Sequence, residues 1–235
     1  MYLLLTDHLR CPRCGPEHGL VLLGERIEAR RVLEGVLGCA NCRERYPVRG
    51  GWADLRGAGG RSATAMSEAD GGAVPSSSRD HPGGDQGTVG AAEGGDLAAD
   101  TQASVLRLAA QLGVQEGPAF VLLAGVAADV AAGVAGLVPG LEVVVVGAEL
   151  AGLGEAPGVS RLAVGHALPL AAGSMRAAAL VGDGGGIALE EAARVVGPYG
   201  RLVLRGAGPM ALEQLARVGF QVLAQEGAEV VAVRR

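Results

Sequence analysis

From Thr101 onward, helix-period apolar patterns alternate with short β-branched runs. Val105, Leu106, Leu108, Ala109 and Leu112 fit one face of a helix that stops at Gly113, and after Gly117-Pro118 comes a buried-strand run, Phe120 to Ala124. The same reading predicts a helix over 127–137, strands over 141–146, 161–164 and 177–181, and a helix over 187–196. A strand over 201–204, a helix over 210–218 and a closing hairpin of 220–224 with 229–233 complete it. Such alternation predicts a doubly wound, Rossmann-like α/β sheet, mostly parallel, with helices on both faces. Only about a dozen residues separate the strands at 141–146 and 161–164, near the minimum for a parallel crossover. The helix there is expected to be vestigial and one sheet face thinly covered, to be repaired by a partner or by the N-terminal region.

Ahead of this pattern, residues 57–100 carry eleven glycines, and only Met66, Val74, Val89 and Leu97 could anchor a core. Too little apolar area is available there to offset ordering entropy, which predicts a disordered linker spanning about 35 to 40 Å as a Gly-rich coil. The chain is therefore expected to divide into an N-terminal domain at 1–56, a linker at 57–100 and the α/β domain at 101–235. The N-terminal module would swing over the second domain unless the two dock.

All four cysteines lie in residues 1–56, as Cys11-Pro12-Arg13-Cys14 and Cys39-Ala40-Asn41-Cys42. Two thiolates three positions apart on a tight turn can face one ion, and two such turns complete a tetrahedral sulfur shell, the pattern of a zinc ribbon. Gly15 can take the positive φ that turns backbone N–H groups toward the sulfurs. Paired disulfides and redox CxxC pairs are the competing readings; the lack of a secretion signal favours structural zinc. A closed shell of Cys11, Cys14, Cys39 and Cys42 leaves no open position for catalysis.

The apolar run Leu3-Leu4-Leu5 is too short for a signal core and no stretch reaches membrane-spanning length, so a cytoplasmic, non-membrane protein is expected. All 20 basic residues are arginine, which excludes lysine Schiff-base and lysine-base chemistry. Net charge is +2 over residues 1–56 and −7 over 57–235, and six aromatic residues in all make neither a cationic face nor a stacking platform for nucleic acid. Arg43, Arg45 and Arg49 beside the second knuckle leave a small basic patch, the one route by which the ribbon could touch RNA.

The segments LRCPRCG, CANCRERYPV and Gly51-Trp52-Ala53-Asp54-Leu55 resemble the short zinc-ribbon family whose members activate tRNA, rRNA and release-factor methyltransferases. Leu189 to Leu204, LEEAARVVGPYGRLVL, and Gly165 to Met175 resemble a class I S-adenosylmethionine-dependent methyltransferase. The resemblance implies a cofactor site at the turn Ala124-Gly125-Val126-Ala127-Ala128-Asp129, at Glu149 as the ribose acid and at His166 beside the adenine. This chain departs from the family pattern in that turn: only the first glycine survives, Ala127 adds a methyl and Asp129 replaces the third glycine. Glu149 also reads as a helix-start acid and His166 as a satisfied side chain. Asp183, within Gly182 to Gly186, is either a candidate base or part of a turn, and no catalytic residue is assigned. The expected function is a non-catalytic, methyltransferase-like zinc protein acting as an interaction or assembly module, with a protein partner or self-association. The alternative is a divergent active methyltransferase on RNA, protein or a small molecule, holding S-adenosylmethionine through Gly125, Glu149 and His166.

Overall fold

The computed structural model describes residues 1–56, 93–147, 154–165 and 167–235; the stretch 57–92, Glu149 and His166 lie outside the described residues. A 3₁₀ helix, Leu3–His8, leads into β1 (Arg10–Cys11), β2 (Gly15–Glu28), β3 (Arg31–Cys39), β4 (Arg45–Arg49) and β5 (Trp52–Asp54). There follow α1 (Glu93–Leu112), β6 (Ala119–Ala124), α2 (Ala128–Leu137), β7 (Leu141–Val146), β8 (Val159–Ala163) and β9 (Met175–Val181). The chain closes with α3 (Leu189–Val195), β10 (Val196–Arg205), α4 (Ala211–Arg217), β11 (Phe220–Glu226) and β12 (Glu229–Arg234). Helix α1 begins at Glu93 and so takes in residues that composition assigned to the linker.

One sheet holds all twelve strands, in the order β1-β2-β3-β4-β5-β8-β7-β6-β9-β10-β12-β11. Strands β8, β7, β6, β9 and β10 are parallel. Strand β12 runs antiparallel between β10 and β11, the closing hairpin expected from sequence. This is a mixed α/β, doubly wound sheet. Alternate residues along its central strands feed two cores. Leu122, Val144, Leu162, Ala178 and Leu202 face α3, α4 and the N-terminal strands, while Val121, Leu123, Val143, Ala177 and Val203 face α1 and α2.

Of the two possibilities, a swinging or a docked N-terminal module, the register of β5 gives the docked one. Trp52, Ala53 and Asp54 pair in parallel with Arg161, Leu162 and Ala163 of β8. The ladder continues as the Leu55 N–H donates to the Ala163 carbonyl at 2.8 Å. The N-terminal strands thus cover what would be a free sheet edge, a site that proteins otherwise protect with charge or short strands.

A second seam lies on the α3 face. Leu9 bridges to Leu170, the Arg10 N–H donates to the Pro169 carbonyl at 2.9 Å, and the Ala171 N–H donates to the His8 carbonyl at 2.8 Å. Leu5 and Leu9 are fully buried in the same core as Leu122 and Leu162. The described part of 164–174 carries no helix, so the 3₁₀ helix supplies the apolar cover that a crossover helix gives in such sheets. From below, the Glu191 carboxylate accepts from the Leu168 N–H at 2.8 Å, and Arg194 donates to the Leu168 and Leu170 carbonyls, both at 2.8 Å. Residues 154–158 of the β7–β8 crossover are also non-helical, as expected; Ala156 and Trp52 pack against the opposite core there.

Charge is buried at the first seam. Arg31 bonds Glu142 and Glu155, each at 2.6 Å, and donates to the Val159 carbonyl. Glu142 also accepts from the Ser160 hydroxyl at 2.5 Å, and Arg161 donates to the Gly50 carbonyl at 2.7 Å. A buried ion pair of this kind adds little against an apolar substitute, but removing one partner leaves an uncompensated charge.

Arg31→Met should lower the unfolding free energy by about 3 kcal/mol in urea titration, and the wild-type chain should melt in one transition rather than as two separate domains. Hydrogen bonding by Arg194, set against burial, holds the Glu191 carboxyl below its usual value. Its contribution is therefore complete above the ordinary carboxylate range and lost as pH falls through the lowered value, so Glu191→Gln should flatten the acid limb of the stability–pH curve.

Candidate metal centre and cofactor crevice

The two CxxC turns meet at one point. The first follows β1 and enters β2 through Gly15, whose φ of 92° meets the expectation for that glycine. The second follows β3 and exits through Arg43, at φ 61°. The corresponding position thus carries a non-glycine residue in the left-handed region, which no sequence signal marked. The four sulfurs lie within 4.8 Å of one another, with Cys11 to Cys42 and Cys14 to Cys39 each at 3.7 Å. A tetrahedral ion with zinc–sulfur bonds of ~2.3 Å needs sulfurs ~3.8 Å apart. The cysteines are free thiols.

Donors around the sulfurs suit thiolates. The Cys14 N–H points at the Cys11 sulfur at 3.4 Å, and the Asn41 amide at the Cys14 sulfur at 3.4 Å. The buried Tyr46 hydroxyl lies 3.5 Å from the Cys11 sulfur. Burial and that sulfur push the phenol's pKa up, so it stays protonated and able to donate. Arg13 joins Glu44 at 3.3 Å across the two knuckles.

The thiols do not share charge evenly. The backbone N–H of Cys42 is the main cause holding Cys39 down to about 6. The Glu44 N–H pulls Cys42 down too, but desolvation and the neighbouring sulfurs outweigh it and push Cys42 up to about 12. Four sulfurs at this spacing cannot all ionise without a cation between them. A divalent ion supplies that charge and releases the remaining protons. The residues present therefore fit a metal of the zinc class.

The cofactor crevice of a doubly wound sheet lies at the carboxyl ends of its strands, here β6, β7 and β9. Gly125 is left-handed, with φ 72°, and a Cβ added to it would collide with the Val181 carbonyl of the neighbouring strand. The approach of one strand to another thus already requires this glycine. The loop after β9 then crosses above it. A Cβ on Gly185 would sit 3.5 Å from the Gly125 nitrogen and 3.8 Å from the Val146 carbonyl of β7.

Ala127 stands at the start of α2 and offers no capping side chain. Asp129 lies in the first turn and its carboxylate accepts from the Val130 N–H at 2.9 Å, so the positive end of the helix already has an anion. Asp183 accepts from the Gly185 N–H at 2.9 Å as the cap of the turn Gly184–Gly186, which supports reading it as a turn residue. Among the described residues of this crevice, the loop at Gly185 runs close to Gly125: a Cβ added to Gly125 would lie 3.4 Å from the Gly185 nitrogen. Of the four residues that the resemblance brings to the cofactor, the structure describes Gly125 and Ala127.

No helix among the described residues is long and apolar enough to cross a membrane. Neither a family model nor a curated protein matches the sequence. Among solved structures, the chain is similar to precorrin-6Y C5,15-methyltransferase from Geobacter metallireducens, at 16% identity over 55% of this chain and 84% of that one, with a TM-score of 0.38. It is also similar to tRNA (m1A58) methyltransferase TrmI from Aquifex aeolicus, at 14% identity over 57% and 68%, with a TM-score of 0.39. The fold itself is established by the strand order and registers above, not by these overlaps.

Atomic emission on the purified protein should give one zinc per chain, and Cys39→Ser should abolish it. Because β5 is a strand of the common sheet, chelation should lower the melting temperature of the whole chain and raise hydrogen exchange in β8. A β8 unchanged by chelation would contradict the shared sheet.

Proposed function

We propose that this chain is a zinc-binding protein of methyltransferase-like fold that does not transfer methyl groups and serves as an interaction or assembly module, in the cytoplasm and with a protein partner. The observation that carries the reading is the proximity of the Gly185 loop to Gly125 at the strand ends, where a Cβ added to Gly125 would lie 3.4 Å from the Gly185 nitrogen. Two further features support it. Asp129 supplies the helix end with its own carboxylate, and the one acid in the loop after β9, Asp183, is engaged in a turn. The metal centre is closed by four cysteines and leaves no position for a substrate. On this reading zinc and sheet together hold a surface.

Calorimetric titration of S-adenosylmethionine and of its demethylated product into the zinc-loaded protein should give no heat up to about millimolar ligand, the range of the weakest useful affinities. Micromolar binding would replace this reading with an active, divergent methyltransferase.

A further inference from the structure

The amino-terminal end of the sheet, opposite the crevice above, carries a groove of about 550 Å³. One wall is the 3₁₀ helix, through Leu4, Asp7 and His8; the other is the sheet, through Phe120, Arg176 and Pro198. It exists only because the N-terminal segment is docked. A second cavity of about 450 Å³ adjoins it through Pro118, Ala119 and Arg176. Both volumes fall in the range of small-molecule sites, ~300–1,000 Å³.

The chemistry of the walls is specific. Phe120 is half-buried, with the His8 ring edge-on at 5.0 Å and the Tyr2 ring at 6.2 Å. Arg176 is exposed, and among the described residues its guanidinium has no hydrogen-bond or ion-pair partner. The Asp7 carboxylate on the facing wall is likewise without a hydrogen-bond partner among the described residues.

Strain marks the same place. Directly after Pro198, Tyr199 has φ 59° and is 77% exposed. A bulky residue in the left-handed region is an outlier that costs on the order of 1 kcal/mol or more and gains nothing from burial here. The turn lies against β9, since a Cβ on Gly200 would be 2.7 Å from the Arg176 carbonyl.

We propose that this groove binds a small aromatic monocarboxylate, its ring against Phe120 and its carboxylate on the Arg176 guanidinium. Arginine favours a carboxylate because its planar fork makes two parallel bonds. Asp7 on the facing wall limits the ligand to one negative charge. The inference is independent of the non-catalytic reading, since it uses neither the cofactor crevice nor the metal.

The test is calorimetry of the zinc-loaded full chain with 3-phenylpropanoate as the probe and phenylsuccinate as the dianion. The monocarboxylate should bind with a dissociation constant below about 1 mM, and the dianion several-fold more weakly. Arg176→Gln should reduce affinity at least ~10-fold. Phe120→Leu should weaken the probe several-fold. No heat from 3-phenylpropanoate at about 10 mM, or an affinity unchanged in Arg176→Gln, overturns the proposal. The melting temperature of each variant shows that it is folded, so neither result can be ascribed to misfolding.

Discussion

Everything else in this structure depends on the parallel pairing of β5 with β8. Three residue pairs and the bond from Leu55 bring the N-terminal strands into the same sheet as the α/β core. That ladder alone is short. It holds because each side of it is fixed by something else: the four sulfurs on the far side of the N-terminal strands, and beside it the ion cluster of Arg31 and Glu155 with the buried Glu142 and Arg161. Buried charges make the docking selective more than strong, because a shifted register would leave each of them without a partner. Cysteine cluster, strand and ion cluster are therefore one device, and the groove and its 3₁₀ wall exist downstream of it.

How far this was legible follows from where the signal lies. The α/β half could be read in detail, since β-branched runs such as Leu141 to Val146 are buried on both faces and announce themselves as central strands. The metal centre was legible because thiol spacing is a geometric code. Ends were less so: β10 begins at Val196, ahead of Arg201, because Gly197-Pro198 read as a turn and the pairing that draws the segment in comes from β9. Docking was not legible at all. Trp52, Ala53 and Asp54 form a three-residue strand whose partner lies more than a hundred residues away, and a glycine-rich stretch between them suggested freedom. No sequence signal marked Arg31 and Arg161 as a pair; only the fold shows that they share Glu155.

The resemblance to methyltransferases singled out a glycine that the packing of the strands also requires. Gly125 was singled out as the residue that lets a cofactor approach, yet the Val181 carbonyl already requires it. A retained glycine is therefore no evidence for a retained ligand when the neighbouring strand makes the same demand. The same caution runs the other way for Tyr199. Within LEEAARVVGPYGRLVL its neighbours keep the family pattern, and the departure was invisible as strain until its φ was known.

At the carboxyl end of the sheet, the loop at Gly185 runs close to Gly125, and both positions are glycine. At the amino end, Tyr199 is held in a conformation that glycine would adopt without strain. It lies in the irregularity of the ladder between β10 and β9, from Val196 to Arg201, so the path of the backbone imposes its φ whatever the exposure of the ring.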